Sequence, residues 1–238
     1  MRMTTNWTRR ILILAAAIVI AGTENSVRLS ADGTDDAARA NAASDVLREM
    51  TRADDTRIPN YLLNRAKAIA VVPHVVRGAF IVGGRWGKGV VGSRDAQGQR
   101  GPAAFVELGG ASVGFQIGGD ATDLIMVFIE EDGLEALLND RLELGANASV
   151  AAGPLGRSAE AGTNVTLDAA IYAYSRSKGV FAGVALDGTV LSLDDDANAR
   201  AFGRKIDRKS VLTSDATAPA VFQPFLNAVR AVTPATAR

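Results

Sequence analysis

The sequence predicts an α+β domain: a single-domain, Gly-rich, mostly antiparallel curved sheet or barrel with two N-terminal helices packed on it. Three observations carry that prediction. Apolar residues keep helical spacing up to about Lys67, then change to short runs and strict alternation. Gly78 to Gly119 holds 13 of the 24 glycines, and glycine inside strands marks bulges, bends and close backbone approach. Turn signals such as Asp187-Gly188 punctuate the apolar runs that follow. Curling such a sheet towards closure would remove exposed strand edges.

The elements follow in order. Met1–Arg10 is basic and Ile11–Ala21 is an uninterrupted apolar stretch of 11 residues. A helix needs about 20 residues to span a membrane, so the stretch reads as the core of a signal peptide, 1–21, cut after Ala21. The alternative is an uncleaved helix or anchor. Residues 22–34 read as a flexible leader and 35–215 as the domain. Asp35–Met50 opens with two acidic residues, which suit a helix amino end, and spaces Ala43, Val46, Leu47 and Met50 as one helical face. Pro59 opens a second helix, Asn60–Lys67. Ala68–Val72 is a short strand stopped by Pro73, and Ala79–Val82 is another. Val113, Phe115 and Ile117 alternate with Gly114, Gln116 and Gly118, as in a half-buried strand. Leu124–Ile129 is wholly apolar and reads as a central strand, and Gly133–Asp140 as a short helix. Asn147–Ala152 and Asn164–Tyr174 read as strands. Val180–Leu186 and Thr189–Leu193 flank Asp187-Gly188 as a hairpin. Residues 216–238 read as a C-terminal helix or tail, with Pro224 near the start of a helix over Pro219–Val232.

Composition excludes several function classes. The 26 basic and 26 acidic residues balance, so bulk charge gives no reason to expect nucleic-acid binding. Arg2, Arg9 and Arg10 fall in the first 21 residues, so the remainder carries 23 basic against 26 acidic residues. A mature chain at −3 would need a local basic patch to approach an anionic membrane. There is no Cys and a single His, His74. Metal sites built on His and Cys are therefore excluded, as is Cys-dependent catalysis. His74 follows Pro73 and reads as a turn residue rather than a general base. No cofactor is expected.

Gly87–Gly92 matches a dinucleotide fingerprint literally, but turn residues follow it instead of a helix. It reads as a Gly-rich strand. Asp194, Asp196 and Asn198 have calcium-loop spacing, but Ala199 and Lys205 stand where Gly and Glu are required. This cluster reads as a helix N-cap. Glu130-Glu131-Asp132 reads likewise as a helix start. No catalytic residue is assigned.

Basic residues gather at Arg77, Arg85, Lys88, Arg94 and Arg100 around Trp86, and again at Arg157, Arg176 and Lys178. One reading is solvated strand ends and loops. The other is an anionic headgroup or phosphate site with Trp86 at the membrane interface. The candidates for that site are Arg85, Trp86, Lys88, Arg94, Arg157, Arg176 and Lys178.

Five segments, in order, carry a resemblance: Ile58-Pro59 with Leu62–Pro73; Gly78-Ala79-Phe80 with Gly83–Gly89; Gly114–Gly119; Gly153–Arg157; and Tyr174–Gly188. Together they resemble the SYLF family, a lipid-binding domain also called the yeast actin-binding domain of endocytic proteins. The resemblance implies binding of phosphoinositides or other anionic lipids, with actin binding in some members. Here a signal peptide and an Ala-rich helix stand where eukaryotic members can carry an amphipathic membrane segment. The expectation is thus an exported, non-enzymatic lipid-binding domain, periplasmic or associated with the cell envelope. Its partner would be an anionic lipid or membrane surface, with actin unlikely and any protein partner unknown. The alternative is a periplasmic structural or protein-interaction module without a lipid ligand, with an enzyme third.

Overall fold

A computed structural model describes residues 33–50, 57–79, 83–94, 100–112, 121–156, 168–177, 180–212 and 218–233. The expected signal peptide, nearly all of the leader, the strand expected over Val113–Ile117, and Arg157 and Lys178 lie outside the described residues.

Helix α1 covers residues 33–50 and α2 covers Asn60–Arg65. Ala40, Ala43, Val46, Leu47 and Met50 of α1 are buried, and their spacing of three and four residues makes one apolar face. The strands are β1 (Ala68–Ala79), β2 (Gly83–Arg94), β3 (Arg100–Ser112), β4 (Thr122–Phe128), β5 (Arg141–Glu143), β6 (Val150–Ala152), β7 (Ile171–Ser177), β8 (Val180–Gly183) and β9 (Thr189–Leu193). Helix α3 (Glu131–Asn139) follows β4, α4 (Asp195–Phe202) and α5 (Arg208–Val211) follow β9, and α6 (Gln223–Val232) closes the described chain.

All nine strands belong to one sheet, ordered β5-β9-β3-β2-β1-β4-β7-β6, with β8 also paired to β7. Every pairing is antiparallel except β6 with β7. One apolar cluster joins Leu124, Met126 and Phe128 of β4 to Leu142 of β5 and to Leu191 and Leu193 of β9. These strands stand far apart in the sheet order, so this face is the inside of a strong curl. The outside face carries Ile69, Val71, Val90, Phe105, Ile125, Val127 and Tyr174, covered by α1, α2 and α6. With both faces covered, β4 is buried at all seven positions, which is why its sequence is a continuous apolar run. Phe222, Phe225 and Leu226 make the C-terminal helix part of this same core.

The predicted fold class is therefore the one observed, and the departures are local. Pro73 does not end a strand, because β1 runs through it as a bulge. Pairing with β2 breaks between Val71 and Val76 and pairing with β4 between Val72 and Val75, and His74 adopts φ +51°. A proline lacks the N–H a ladder needs, and a bulge accommodates that loss. The His74 N–H leaves the ladder too and donates to Asp123 Oδ1 at 2.9 Å. Asp187-Gly188 does form a turn, with Gly188 at φ +71° and the Thr189 N–H on the Leu186 carbonyl. However, β8 and β9 do not pair with each other. The turn instead sends the chain from β8 on β7 to β9 between β3 and β5. Only Val150–Ala152 of the expected Asn147–Ala152 strand is a named strand, and β7 begins at Ile171.

Candidate functional site

The elements bring the candidate residues to different places. By alternation along β2, Trp86 and Lys88 share the outer face with Val90, while Arg85 shares the inner face with Val91. Arg94 lies eight residues from Trp86 on the same strand, roughly 26 Å away at 3.3 Å per residue. There its guanidinium donates to the Asn64 carbonyl at 2.8 Å, against the end of α2. Arg176 on β7 pairs with Asp123 at 2.7 Å and with Glu49 of α1. Arg85 is half-buried opposite Arg77 and Gly110 in the strand register. The structure thus brings together Trp86 and Lys88, with Arg85 next to them on the opposite face. It separates Arg94 and Arg176 from them.

Lys88 is built into a network. Its ammonium lies 2.8 Å from Glu107 and 3.3 Å from Asp194. Asp194 also receives Arg39 of α1 at 2.9 Å, Arg39 reaches Asp36, and Asp36 takes Arg200 at 2.9 and 3.1 Å. The Arg39 guanidinium lies 4.7 Å from the centre of the Phe105 ring. Three cations and three carboxylates thus tie the amino end of α1 to β2, β3 and α4. The hydrogen bond to Glu107 raises the Lys88 pKa, against the opposing effect of burial. Burial opposes the charge on Asp194, but the Ala197 N–H, Arg39 and Lys88 outweigh it and hold this carboxyl below its ordinary range.

Asp194 is also the N-cap of α4, accepting from the Ala197 N–H at 3.0 Å. The predicted cap is therefore in place. Asn198, expected only as part of that cap cluster, has a different role. Its side chain exchanges two hydrogen bonds with the Phe105 backbone, at 2.8 and 3.0 Å, as a paired strand residue would. The N-cap spacing was readable along the chain. The Arg39–Asp194 pair joins residues 155 apart, and no local signal reports it.

The open features lie beside this network. Val76 and Trp86 face each other across the β1–β2 ladder and are 53% and 59% exposed. On the other side Trp86 faces Gly109, where an added Cβ would meet nothing within 4 Å. Gly109 in turn faces the half-buried Val190 of β9. An uncovered, mostly apolar row therefore crosses four strands. Next to it, a cleft of about 520 Å³ opens between α1 and the β1 bulge, lined by Asp35, Asp36, Arg39, His74, Lys88 and Arg200 among others. A second cleft, about 470 Å³, is lined by acidic and amide side chains around α3 and β5.

Two of the resembling segments meet elsewhere. A Cβ on Gly153 would fall inside the Tyr174 ring, and Tyr174 donates its hydroxyl to the Pro154 carbonyl at 3.2 Å. Burial raises the Tyr174 pKa. These residues hold β6 on β7 and are part of the frame.

The fold and its surfaces define a single α+β domain with a curled sheet whose inner face is packed with apolar side chains. A family profile described as "Ysc84: Las17-binding protein actin regulator" matches residues 109–232. The chain belongs to this Ysc84, or SYLF, family. It is 34% identical over 175 residues to Protein YSC84 of Saccharomyces cerevisiae, covering 72% of this chain and 37% of that protein. It is 33% identical over 174 residues to LAS seventeen-binding protein 3 of the same yeast, covering 72% and 38%. With the human SH3 domain-containing YSC84-like protein 1 it shares 32% over 187 residues, covering 76% and 54%. The chain thus spans between about a third and just over half of these relatives. The family description is by binding and not by reaction. It names an actin regulator, so the expectation that actin is an unlikely partner finds no support in it.

Proposed function

We propose that this chain is an exported, non-enzymatic domain that docks on phospholipid surfaces, anionic ones included, through the outer rim of β1–β3. The observation that carries the proposal is the exposed Val76–Trp86 pair, with Lys88 of β2 on the same face. A Trp indole suits the boundary between headgroups and acyl chains, and nearby basic side chains add attraction to anionic lipid. The inside of the curl is packed with Leu, Val, Met and Phe, which favours docking on a surface over carrying a lipid within. Export is supported by the basic segment Met1–Arg10 before the apolar Ile11–Ala21. N-terminal sequencing of the exported protein should then begin between Gly22 and Asp32, and a mature chain that begins at Met1 would refute it.

Vesicle co-sedimentation tests the docking. Wild type should pellet with vesicles of phosphatidylcholine and phosphatidylglycerol, and Trp86→Ala should weaken binding by about tenfold, the scale of one large apolar side chain. Equal binding by the two proteins would remove the rim from the docking surface. A second reading rests on the family description: the same rim would then take a protein of the actin-regulating machinery. Binding of actin without any vesicle binding would favour it.

A further inference from the structure

The groups that remain free in the cleft beside the rim point to a ligand of both charges. Asp36, Arg39, Asp194 and Arg200 satisfy one another. Asp35 is exposed and lines the cleft, and its carboxylate forms no ion pair with a described residue. Lys88 lines the cleft with three donors, two of which serve Glu107 and Asp194. His74 lines the cleft from the β1 bulge, exposed, with its backbone N–H held by the buried Asp123. A residue other than glycine at φ +51° is held there by its surroundings at some cost, a pattern that marks functional positions. The free valences are thus one carboxylate, one ammonium hydrogen and one imidazole.

We infer that this cleft takes the headgroup of an aminophospholipid, a phosphate ester carrying a primary ammonium. The ammonium would donate to Asp35, and the phosphate oxygens would accept from Lys88 and His74. An imidazole can donate an N–H in either protonation state. A simple dianion fits the cleft less well, because it leaves the Asp35 carboxylate without a partner and adds like charge beside it. A choline headgroup brings the phosphate, but its methylated nitrogen has no hydrogen for Asp35. The place of the cleft fits a lipid source. Val76 lies two residues beyond His74 on β1, and Trp86 two residues before Lys88 on β2. A rim that rests at the interface would hold the cleft at headgroup level. This inference rests on the docking reading for its lipid source, and its chemistry stands apart from that reading.

The test uses the full chain with three probes: vesicles of phosphatidylcholine alone, vesicles with phosphatidylethanolamine added, and soluble phosphoethanolamine followed by the His74 ring resonances. Wild type should prefer ethanolamine-containing vesicles by about tenfold, one charge-assisted hydrogen bond. Asp35→Asn keeps the shape and should reduce that preference to within twofold. His74→Gly suits the left-handed backbone and should weaken binding to both vesicle types. Equal binding of both vesicle types by wild type, or an undiminished preference in Asp35→Asn, overturns the inference and leaves the docking reading standing. Soluble phosphoethanolamine that shifts His74 while no vesicle binds would keep the cleft as a site and overturn its lipid source. No response to any probe overturns this inference, while the docking reading falls only if the phosphatidylglycerol-containing vesicles are not bound either.

Discussion

The same three strands have two fates along their length. Where α1 and α4 cover them, β1–β3 carry Val71, Val90 and Phe105 under the helices, and the charges of Lys88 and Glu107 join the ion-pair network. One row further along, Val76, Trp86 and Gly109 meet solvent. Along β2 the chemistry hardly changes between these rows, since Gly87 and Gly89 alternate with Trp86, Lys88 and Val90. The difference comes from what lies on top. The basic residues that look like a surface patch in the sequence are therefore not equivalent. Lys88 helps to hold a helix down as well as facing a cleft, and Trp86 two residues away lies over Gly84 and is 59% exposed.

The largest expected effect breaks the covered half. A Cβ on Gly89 would sit 2.2 Å from the Val71 carbonyl oxygen and 2.8 Å from the Val72 Cα. Both are backbone atoms of the bulged strand, so neither can turn aside as a side chain would. Gly89→Ala should therefore destabilise by at least about 3 kcal/mol, the upper end for overpacking. Urea unfolding measures it, and a change below 1 kcal/mol would mean that the bulge yields freely.

Asp194 sharpens the comparison through charge. Its side chain is 6% exposed and serves as helix cap, partner of Arg39 and partner of Lys88. Asp194→Ala at neutral pH should cost about 3 kcal/mol, since it leaves a buried guanidinium with fewer partners. The carboxyl is held below its ordinary pKa in the folded chain. Its contribution is then complete above the unfolded value of roughly 3.9 and is lost as pH falls through the folded value. The stability gap between wild type and variant should narrow as pH drops below about 4. A gap that stays constant down to acid unfolding would show that the charge on Asp194 contributes little.

Much of this was legible along the chain, and the rest was not for a physical reason. The α1 face, the buried β4 run, the Asp194 cap and the curled Gly-rich sheet all follow from spacing within one element. Pro73 misled because a bulge is a property of three strands together, and the Asp123 that accepts the His74 N–H lies 49 residues away. Asp187-Gly188 misled because a turn fixes where the chain reverses but not which strand it meets next. The candidate cations were legible as residues. Their pairing with Glu107 and Asp123 depends on which strands become neighbours in the sheet, and with Asp194 and Glu49 on α4 and α1 lying against it, which no local pattern states.

The smallest expected effect tests the bare half by adding an atom to it. Gly109 is the cross-strand neighbour of Trp86, and a Cβ there meets nothing within 4 Å. Its backbone lies within β3 and is not among the positive-φ glycines. Alanine therefore fits the native conformation, and the main consequence falls on the unfolded chain, which loses freedom. Gly109→Ala should leave stability unchanged or raise it by up to about 1 kcal/mol. This is opposite in sign to Gly89→Ala, although both are Gly-to-Ala changes on adjacent strands of one sheet. The same variant narrows the gap between Trp86 and Val190 by one methyl group. If the rim docks on bilayers through Trp86, the added methyl should leave vesicle binding within about twofold of wild type. Destabilisation of Gly109→Ala by more than 1 kcal/mol would mean that this row is covered in solution, and the contrast between the two halves would then fail.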